Sequence, residues 1–447
     1  MIATRRLLLG ATLAAPFIRR AAAQGEALPP ILFVHGNGDH AALWQTILWR
    51  FESNGVPRER LRAVNMPDPL ARDDDAVPQP HRSSSAEQTE RLAAFVEELR
   101  TATGAPRVAL IANSRGGYPV RDLVVHRGAA RLVSHAILCG TPNRGVYDWP
   151  EIRNREFNSR SDFLQRLNGG TTDVAEGTAF ATIRSDSQDL FAQPRAVWNA
   201  ADRTRPTGTD VDGAELRGAT NIVLPGLDHR EVAYHARAFV EQWRFLTGRQ
   251  PERIAVVPEA RPVLDGLVTG LVGTQPTNRP VAGATVEIFR TDSDTGERLG
   301  EAIHRRTTGE DGRWGPATVE PHWMLEFVLA APGHPVAHIV RSPFPRSSSV
   351  LHLRPPAPLA EADRAAGALV RFTRPRGYFG RPRDAIILDG QEPQDVRPGI
   401  PVGALAATSL PAARIGTPVA ALFNEERVVA RAVPVAENCV AIAELTW

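Results

Sequence analysis

Lysine is missing from this sequence of 447 residues, so all 52 side chains counted as lysine or arginine are arginines. We interpret this as the codon preference of a GC-rich genome, without functional meaning. Cysteine is scarce too: Cys139 and Cys439 are the only two, and each lies in an apolar run. Two cysteines cannot build a disulfide framework, so a chain of this length must rely on its hydrophobic core. A bridge between them is an alternative, but we favour two separate buried thiols.

The apolar run Leu7–Ile18 lacks the length to span a bilayer, and it directly follows the basic stretch TRR. Small residues at 21–23 then supply a cleavage site. This arrangement predicts that residues 1–23 are a signal peptide and that the mature chain begins at Gln24. The pattern TRRLLL resembles a twin-arginine export signal, with a plain secretory peptide as the alternative. Both predict export to the periplasm or the outside.

The net charge of the chain is small, which argues against a nucleic-acid partner. The formal charge is +2, and removal of the predicted signal peptide, with four arginines and no acidic residue, leaves −2. No basic surplus remains that would indicate a nucleic-acid partner. The sequence also contains no H-E-x-x-H motif, no paired cysteine ligands and no phosphate-binding loop. It therefore predicts neither a metal nor an organic cofactor.

Buried strands alternate with helical patterns from about residue 28 to 248, which predicts an α/β fold with a doubly wound, mostly parallel sheet. The predicted strands are PPILFVHG, RVALIAN, VSHAILCG and TNIVLPG. Ser85 and Gln88 predict a capping box at the start of one helix. The stretch REVAYHARAFVEQWRFLTG predicts a single closing helix, with His235 inside it.

The sequence pattern becomes β-rich after residue 250, where short strand patterns are interrupted by Gly, Pro, Asn and Asp. Asp311-Gly312 predicts a hairpin turn. The stretches RPVAGATVEIF and TTGEDGRWG resemble the transthyretin-like and carboxypeptidase-regulatory-like β-sandwiches. We therefore predict a catalytic domain over 24–250, a β-sandwich over 255–355 and a β-rich block over 361–447. The last block is either a third domain or completes the second.

Ser114 lies between the strand pattern RVALI and the helix pattern YPVRDLVV. A nucleophile on such a sharp turn needs small residues two positions before and after it, and here these are Ala112 and Gly116. Upstream, the stretch HGNGD ends another strand. We predict an oxyanion hole there, with the backbone N–H groups of Asn37 and Arg115 as donors.

The acid and the histidine of such a site are expected downstream, each just after a strand. Asp186 and Asp189 are the candidate acids, and His229 is the candidate base. His235 and His126 fall within predicted helices, where an imidazole more often packs or faces solvent.

Four stretches carry a family resemblance over roughly residues 31–248: VHGNGD, ANSRGG, GTPNRG and IRSDSQDLFAQP with GATNIVLPGLDH. They resemble bacterial lipases of the α/β-hydrolase superfamily with A-x-S-x-G, close to extracellular polyhydroxyalkanoate depolymerases. The resemblance implies Ser114 as nucleophile, Asp189 as acid and His229 as base. Asp186 then becomes a neighbouring turn residue.

Two positions depart from that family. Asn113 stands where the family usually has His, from which we expect altered substrate fit without loss of chemistry. Arg115 is bulkier and more polar than the usual Met or Gln, so its side chain is expected to narrow or charge the edge of the site.

The sequence thus predicts an exported lipase or carboxylesterase acting on lipid or other esters. A polyhydroxyalkanoate depolymerase is the near alternative. A non-catalytic binding or adhesion protein on a hydrolase scaffold is the alternative of another class.

Two regions leave alternatives open. Segment 146–179, with an apolar face of Phe163, Leu164 and Leu167, is either a lid over the acyl pocket or an ordinary crossover helix. The β-region either forms a wall over the active site, binds a polymer or lipid surface, or stabilises the enzyme. Its aromatic residues are candidates for a contact face, although strand spacing favours the core: Trp314, Trp323, Phe327 and Phe344.

Overall fold

The structure is a computed structural model of the chain and describes residues 28–197 and 202–447. The predicted signal peptide, 1–23, and the start of the mature chain at Gln24 lie outside the described residues. Of the helices within those two ranges, none is long and apolar enough to cross a membrane.

The first part of the chain alternates strands with helices, as predicted. Its elements are β1 (Ile31–Val34), α1 (Gln45–Ser53), β2 (Leu61–Val64), β3 (Leu70–Ala71), β4 (Arg82–Ser83), α2 (Ser85–Thr103), β5 (Val108–Asn113), α3 (Gly117–Arg121), β6 (Val133–Cys139), α4 (Asp162–Asn168), β7 (Ala179–Arg184), β8 (Thr220–Val223), α5 (Glu231–Tyr234) and α6 (Ala236–Thr247). Six strands form one parallel sheet in the order β2-β1-β5-β6-β7-β8. The predicted α/β class is confirmed.

Apolar side chains on both faces of this sheet explain why helices cover it on both sides. In β1, Ile31 and Phe33 pack into a core shared with α1 and α6. Leu32 and Val34 point the other way, into a core shared with α2 and the helix that follows β5. Strands buried on both faces are typical of parallel sheets.

The capping box of α2 lies one residue earlier than predicted, so the pairing of Ser85 with Gln88 was wrong. The Ser84 side chain accepts the Glu87 N–H, and the Glu87 carboxylate accepts the Ser84 N–H. Ser85 instead donates to Asp75. The Glu87 carboxylate accepts a stronger, charge-assisted hydrogen bond than the Gln88 amide would. The box therefore forms between Ser84 and Glu87.

The closing helix is two helices, not one. His235 has extended backbone angles (φ −61°, ψ 154°) between α5 and α6, and its imidazole accepts the N–H of Arg237. His235 is therefore the N-cap of α6, and its predicted place inside a helix was wrong. The capping bond compensates for helical hydrogen bonds lost at the break. His126 lies just after α3 and is exposed to solvent, which is one of the two environments predicted for it.

The second part of the chain is almost entirely β, which confirms the predicted class. Its elements are β9 (Val263–Leu264), β10 (Thr269–Val272), β11 (Gln275–Pro280), β12 (Thr285–Thr291), β13 (His304–Thr307), β14 (Ala317–Thr318), β15 (Met324–Ala330), β16 (Val336–Arg341), α7 (Glu361–Arg364), β17 (Ala368–Thr373), β18 (Ile386–Leu388), β19 (Leu405–Leu410), β20 (Pro418–Phe423), β21 (Glu426–Arg431) and β22 (Cys439–Glu444).

A seven-stranded mixed sheet organises this part, in the order β13-β12-β15-β16-β22-β17-β19. The last strand, β22, pairs in parallel with both β16 and β17. Strands from the two predicted β blocks therefore share one sheet. One face of the sheet carries the larger core, and the other packs on the three-stranded sheet β18-β20-β21.

Three of the four aromatic candidates for a contact face are fully buried in the larger core: Trp314, Phe327 and Phe344. Trp323 is partly exposed and lies beneath the Arg290 guanidinium. Asp311-Gly312 forms a turn, but β13 and β14 on either side of it pair in different sheets, so the predicted hairpin was wrong. A turn motif fixes only local backbone direction, whereas strand pairing is decided by which core each strand enters.

The two cysteines are buried, unbonded thiols in different sheets. Cys139 ends β6 in the α/β core, where burial raises the pKa of its thiol to about 12. The favoured description, two separate thiols, fits the structure.

Candidate active site

The turn that carries Ser114 has the strained geometry of a nucleophile elbow. Ser114 follows β5 directly and has φ +53°, a left-handed conformation that costs a residue with a side chain about 1–3 kcal/mol. Two positions later the chain runs against β1. A Cβ on Gly116 would lie 2.5 Å from the carbonyl oxygen of His35 and 2.8 Å from that of Val34. Only glycine fits there, so the tight turn depends on it.

Three predicted side chains meet above the ends of the strands. The Nε2 atom of His229 lies 2.8 Å from Ser114 Oγ, and its Nδ1 lies 2.8 and 3.0 Å from the two carboxylate oxygens of Asp189. Because Nδ1 faces a carboxylate, it carries the ring proton, which leaves Nε2 free to accept the serine proton. Asp189 also accepts the N–H of Phe191 at 2.8 Å, and the Phe191 ring packs edge-on against the imidazole.

Asp186, the other candidate acid, is not part of this group. Its carboxylate accepts the N–H groups of Gln188 and Gly226 and so shapes the turn after β7. The two aspartates are three residues apart, yet only Asp189 reaches His229. This separates two candidates that chain order alone had left equal.

The loop after β1 is held by side-chain hydrogen bonds to its own backbone and to the chain that follows β2. His35 Nε2 accepts the N–H of Met66 at 3.0 Å, so Nδ1 carries the proton and donates to the Gly36 carbonyl at 2.9 Å. Burial lowers the pKa of His35, which keeps it neutral. The Asn37 side chain accepts the N–H of Ala71, and Asn37 lines the cleft beside Ser114. Of the two predicted oxyanion donors, Asn37 thus lies in a loop that borders the cleft with Ser114, and Arg115 directly follows Ser114 in the chain.

The Arg115 side chain turns away from the cleft, so the expectation that it narrows or charges the edge was wrong. It is 3% exposed and pairs with Glu156, its Nη2 lying 2.9 Å from the carboxylate. It also donates to the carbonyls of Ser83 and Pro69. Burial raises the pKa of Glu156, and the adjacent Arg115 opposes that rise. A buried guanidinium needs such partners, and they lie beneath the turn.

Asn113 lines the cleft, as expected, and has a further contact that the sequence did not predict. Its Nδ2 donates to the Cys139 carbonyl at 3.0 Å and to the His229 carbonyl at 3.3 Å. It therefore ties the histidine loop to the central strands. The resemblance marked position 113 as unusual, and that was the only sequence signal for it.

The cleft over Ser114 has a volume of about 220 Å³. Its apolar lining is Pro142, Val146, Tyr147, Phe157, Phe191 and Tyr378. Tyr378 comes from the last β-rich block, and sequence reasoning missed it because no motif marks it. In the part of the chain that the structure describes, no group of three His, Cys, Asp or Glu side chains is placed to hold a metal ion.

The segment 146–179 contributes a wall, but its helix is not arranged as a lid. The apolar face of α4, Phe163, Leu164 and Leu167, is buried against Tyr118. The cleft is instead bordered by Val146 to Phe157, which precede the helix. Of the two alternatives, the packed helix agrees with the structure.

Comparison with known proteins gives two matches to family models. The model described as alpha/beta hydrolase family matches residues 31–295, which is more than half of the chain. The model described as lipase C-terminal domain matches residues 264–358. No curated protein matches the chain by sequence.

Several solved structures are similar to the chain. The Bacillus licheniformis lipase BlEst2 in propeptide form is 14% identical, with 91% of this chain and 94% of that chain covered and a TM-score of 0.37. Its mature form is 20% identical, with 50% and 94% covered and a TM-score of 0.36. Aspergillus fumigatus lipase B is 17% identical, with 51% and 55% covered and a TM-score of 0.34. The chain thus spans about half the length of lipase B.

Proposed function

We propose that this chain, which belongs to the α/β-hydrolase family, hydrolyses carboxylic esters through an acyl-enzyme formed on Ser114. The chain is an ester hydrolase of the lipase and esterase type, in keeping with the two family models. The observation that carries the mechanism is the continuous hydrogen-bonded series from Ser114 Oγ through the His229 ring to the Asp189 carboxylate. It lies in an open cleft with an aromatic and apolar wall.

In the proposed reaction, His229 Nε2 takes the Ser114 proton as Oγ attacks the ester carbonyl carbon. Asp189 holds the ring in the required tautomer and stabilises the imidazolium. The backbone N–H groups of Asn37 and Arg115 bind the negative oxygen of the tetrahedral intermediate, each donor accelerating the reaction about 100–1000-fold. The C–O bond to the alcohol breaks as His229 returns its proton to the leaving oxygen. Water, deprotonated by His229, then releases the acid and restores Ser114.

The apolar lining favours an ester with an apolar acyl or alcohol group, since burial of such a group against aromatic side chains is favourable. Lipids and hydrophobic polyesters both present such groups.

The test is hydrolysis of p-nitrophenyl esters from acetate to palmitate by residues 24–447. Ser114→Ala should lower kcat at least about 10⁴-fold, because the nucleophile is lost and only binding and oxyanion stabilisation remain. Ser293→Ala, at an exposed serine far along the chain, is the matched control and should leave kcat unchanged.

Labelling with a fluorophosphonate, followed by mass spectrometry, tests the nucleophile without reference to any ester. Labelling at Ser114 without turnover of any ester would move the proposal to amides or solid polyesters. Neither labelling nor turnover would contradict a serine hydrolase and favour a binding or adhesion protein.

We also propose that the protein is exported through the twin-arginine route, on the strength of the TRRLLL stretch and the small residues that follow its apolar run. Replacement of Arg5 and Arg6 together by lysine should abolish export of the full chain and leave precursor in the cytoplasm. The measurement is immunoblotting of fractionated cells. Unchanged export of this variant would instead indicate a plain secretory peptide.

A further inference from the structure

The loop that carries His229, residues 226–231, is held by a distant part of the chain. Segment 374–384, which follows β17, packs directly on this loop. Asp228 and Arg374 are 146 positions apart along the chain. The catalytic histidine thus depends for its surroundings on the C-terminal β-region.

Asp228, the residue before His229, is the centre of the contact and is fully buried. Within its own loop, its carboxylate accepts the N–H groups of Arg230 at 2.8 Å and Glu231 at 2.9 Å. From segment 374–384 it accepts the N–H of Tyr378 at 2.8 Å and Nη1 of Arg374 at 2.9 Å. This one carboxylate therefore accepts four hydrogen bonds, two of which join the loop to the segment.

Two arginines of the segment neutralise two acids of the loop. Arg374 also donates to Glu231 through Nη2, and Arg383 donates to Glu231 at 2.8 Å. Burial alone would raise the pKa of Asp228, but Arg374, Arg383 and the backbone donors outweigh it and hold that pKa below its usual range. Burial and the neighbouring Asp228 raise the pKa of Glu231. The acids could not remain buried beside His229 without these cations.

The backbone of the segment is shaped around Arg374. A Cβ on Gly377 would lie 2.4 Å from Nη1 of Arg374 and 2.7 Å from the Tyr234 hydroxyl. The chain at position 377 passes so close to the guanidinium that a side chain would displace it. The Gly377 backbone and the Arg374 side chain are therefore closely packed, and each restricts the position of the other.

The same segment reaches the cleft. The Tyr378 side chain lines it together with Ser114 and His229. The Arg230 guanidinium lies 5.2 Å from the centre of the Tyr378 ring and donates to the Pro375 carbonyl at 2.8 Å. The residues on both sides of His229 thus contact segment 374–384, one through ion pairs and one through the tyrosine.

We propose that two residues of segment 374–384 complete the active site: Arg374 is a positioning residue that acts on His229 through Asp228, and Tyr378 is a specificity-determining wall of the ester cleft. The inference rests on the proposed ester hydrolysis. Proton transfer needs Nε2 at hydrogen-bonding distance from Ser114, and a displacement of 1 Å can cost about 100-fold in rate. Loss of Arg374 frees the loop, and loss of the Tyr378 ring opens the cleft.

The positioning role is tested with Arg374→Met and Arg374→Lys in the mature chain, with Arg376→Met as the matched control. Arg376 is an equally buried arginine of the same segment, but it donates to the Leu445 carbonyl, away from the histidine loop. We expect Arg374→Met to lower kcat on p-nitrophenyl acetate by about 100-fold, with KM changed by less than about twofold. Arg376→Met should leave kcat unchanged, although it should lose about as much thermal stability as Arg374→Met.

The pH profile separates positioning from general damage. Without Arg374, the buried acids beside His229 keep only Arg383 as a cation. The lost positive charge favours the protonated ring, so the acidic limb of kcat/KM moves to higher pH by about half a unit or more. The other charged groups that face the ring, the cleft or the histidine loop are the same in all variants: Asp39, Arg155, Asp189, Arg230 and Arg383. Arg374→Lys should return the limb to its wild-type position but recover only part of kcat, because an ammonium cannot bridge both carboxylates.

Equal losses of kcat in Arg374→Met and Arg376→Met, with no movement of the acidic limb, would overturn the positioning role. Should Arg374→Met fail to fold, Arg374→Lys decides alone: a partial loss of kcat supports the role, and wild-type kcat overturns it.

The specificity role is tested with Tyr378→Ala and Tyr378→Phe on the acetate-to-palmitate series. Tyr378→Ala should shift the preferred acyl chain to longer esters, while Tyr378→Phe, which keeps the ring, should keep the wild-type profile. The same chain-length profile in all three proteins would overturn this role. Fluorophosphonate labelling of Ser114 in the wild type distinguishes failure of the proposed function from failure of the proposed role of segment 374–384. If the wild type is neither labelled nor able to hydrolyse esters, the proposed function itself has failed.

Discussion

Asn113 and Ser114 are neighbours at the end of β5 with different contributions to the site. Ser114 is held in a left-handed conformation that exposes its hydroxyl to the cleft. Asn113 also lines the cleft, and its amide donates to two backbone carbonyls, that of Cys139 at the strand end and that of His229. The turn and the histidine loop are thereby joined by one amide group. Such a buried bridge can be changed without altering the size of the side chain.

Asn113→Asp is expected to lower both stability and kcat. The carboxylate keeps the shape of the amide but has no N–H, so two buried carbonyls lose their donor and a charge is buried against them. The free energy of unfolding should fall by about 2–4 kcal/mol and kcat by about tenfold or more. Urea unfolding and p-nitrophenyl ester kinetics measure the two effects.

Asn424→Asp is the matched control for this change. Asn424 is exposed and its Oδ1 accepts the Ala385 N–H, a role that aspartate can keep. This variant should behave as the wild type. An Asn113→Asp enzyme with normal kcat would show that the tie to His229 does not matter for catalysis.

Among the elements, α4 is the one whose role the structure changes most. Its N-cap is Ser161, and its apolar residues point into the protein, where the Phe163 ring lies 5.6 Å from that of Tyr118. Tyr118 in turn belongs to α3, directly after the nucleophile turn. The helix thus supports α3 from outside, and the wall of the cleft is left to the chain that precedes α4.

Leu164→Ser and Leu167→Ser should therefore act on stability and not on acyl-chain preference. Each removes a buried leucine from a packed cluster, which costs about 2–5 kcal/mol. The ratio of activity on acetate to activity on palmitate should stay constant once corrected for the folded fraction. Gln165→Ser, at an exposed position of the same helix, is the control and should alter neither quantity. A selective loss on palmitate at unchanged stability would restore the lid hypothesis.

At the scale of the whole molecule, the two halves meet through buried polar groups as well as apolar ones. Trp49 of α1 packs into the core of the β-region and donates to the Ser347 carbonyl. His40 and His352 face each other across the same boundary, with ring centres 5.6 Å apart. His352 Nδ1 accepts the Leu267 N–H. Protonation at Nδ1 would break this bond.

This boundary makes stability depend on pH. Burial, with a further effect of Arg354, lowers the pKa of His352 to about 3, and burial also lowers the pKa of His35 and His40. Below about pH 6.5 the unfolded chain takes up protons that the folded chain does not. Stability is therefore complete above that pH and is lost as the pH falls toward the folded-state values.

Urea unfolding between pH 8 and pH 5 should show a loss of up to about 1.4 kcal/mol per pH unit for each such histidine, over the range below pH 6.5. His352→Gln should reduce the slope by the contribution of one proton. His126→Gln, at an exposed histidine, should leave the slope unchanged. Equal slopes in wild type and His352→Gln would show that His352 is protonated in the folded protein.

Local patterns sufficed for much of the fold and for the turn that carries Ser114. The strand pattern, the small residues around Ser114 and the chain order are written in neighbouring positions, so they predicted β5, its turn and the place of His229. They failed where the outcome is a competition between neighbours. Ser84 and Ser85 are both good caps, and only the partner three residues on decides between them. The break at His235 likewise depends on a capping bond that periodicity does not reveal.

What the sequence by itself determined, then, is the alternation that builds the α/β half, the β character of the rest and the three side chains that meet in the candidate site. The tertiary structure alone decided that Arg115 turns from the cleft to Glu156, that α4 is support, and that Arg374 and Tyr378 lie at His229. The physical reason is distance along the chain. Periodicity and turn chemistry act between residues a few positions apart, whereas these contacts join segments that meet only when both halves have folded and buried their charges together.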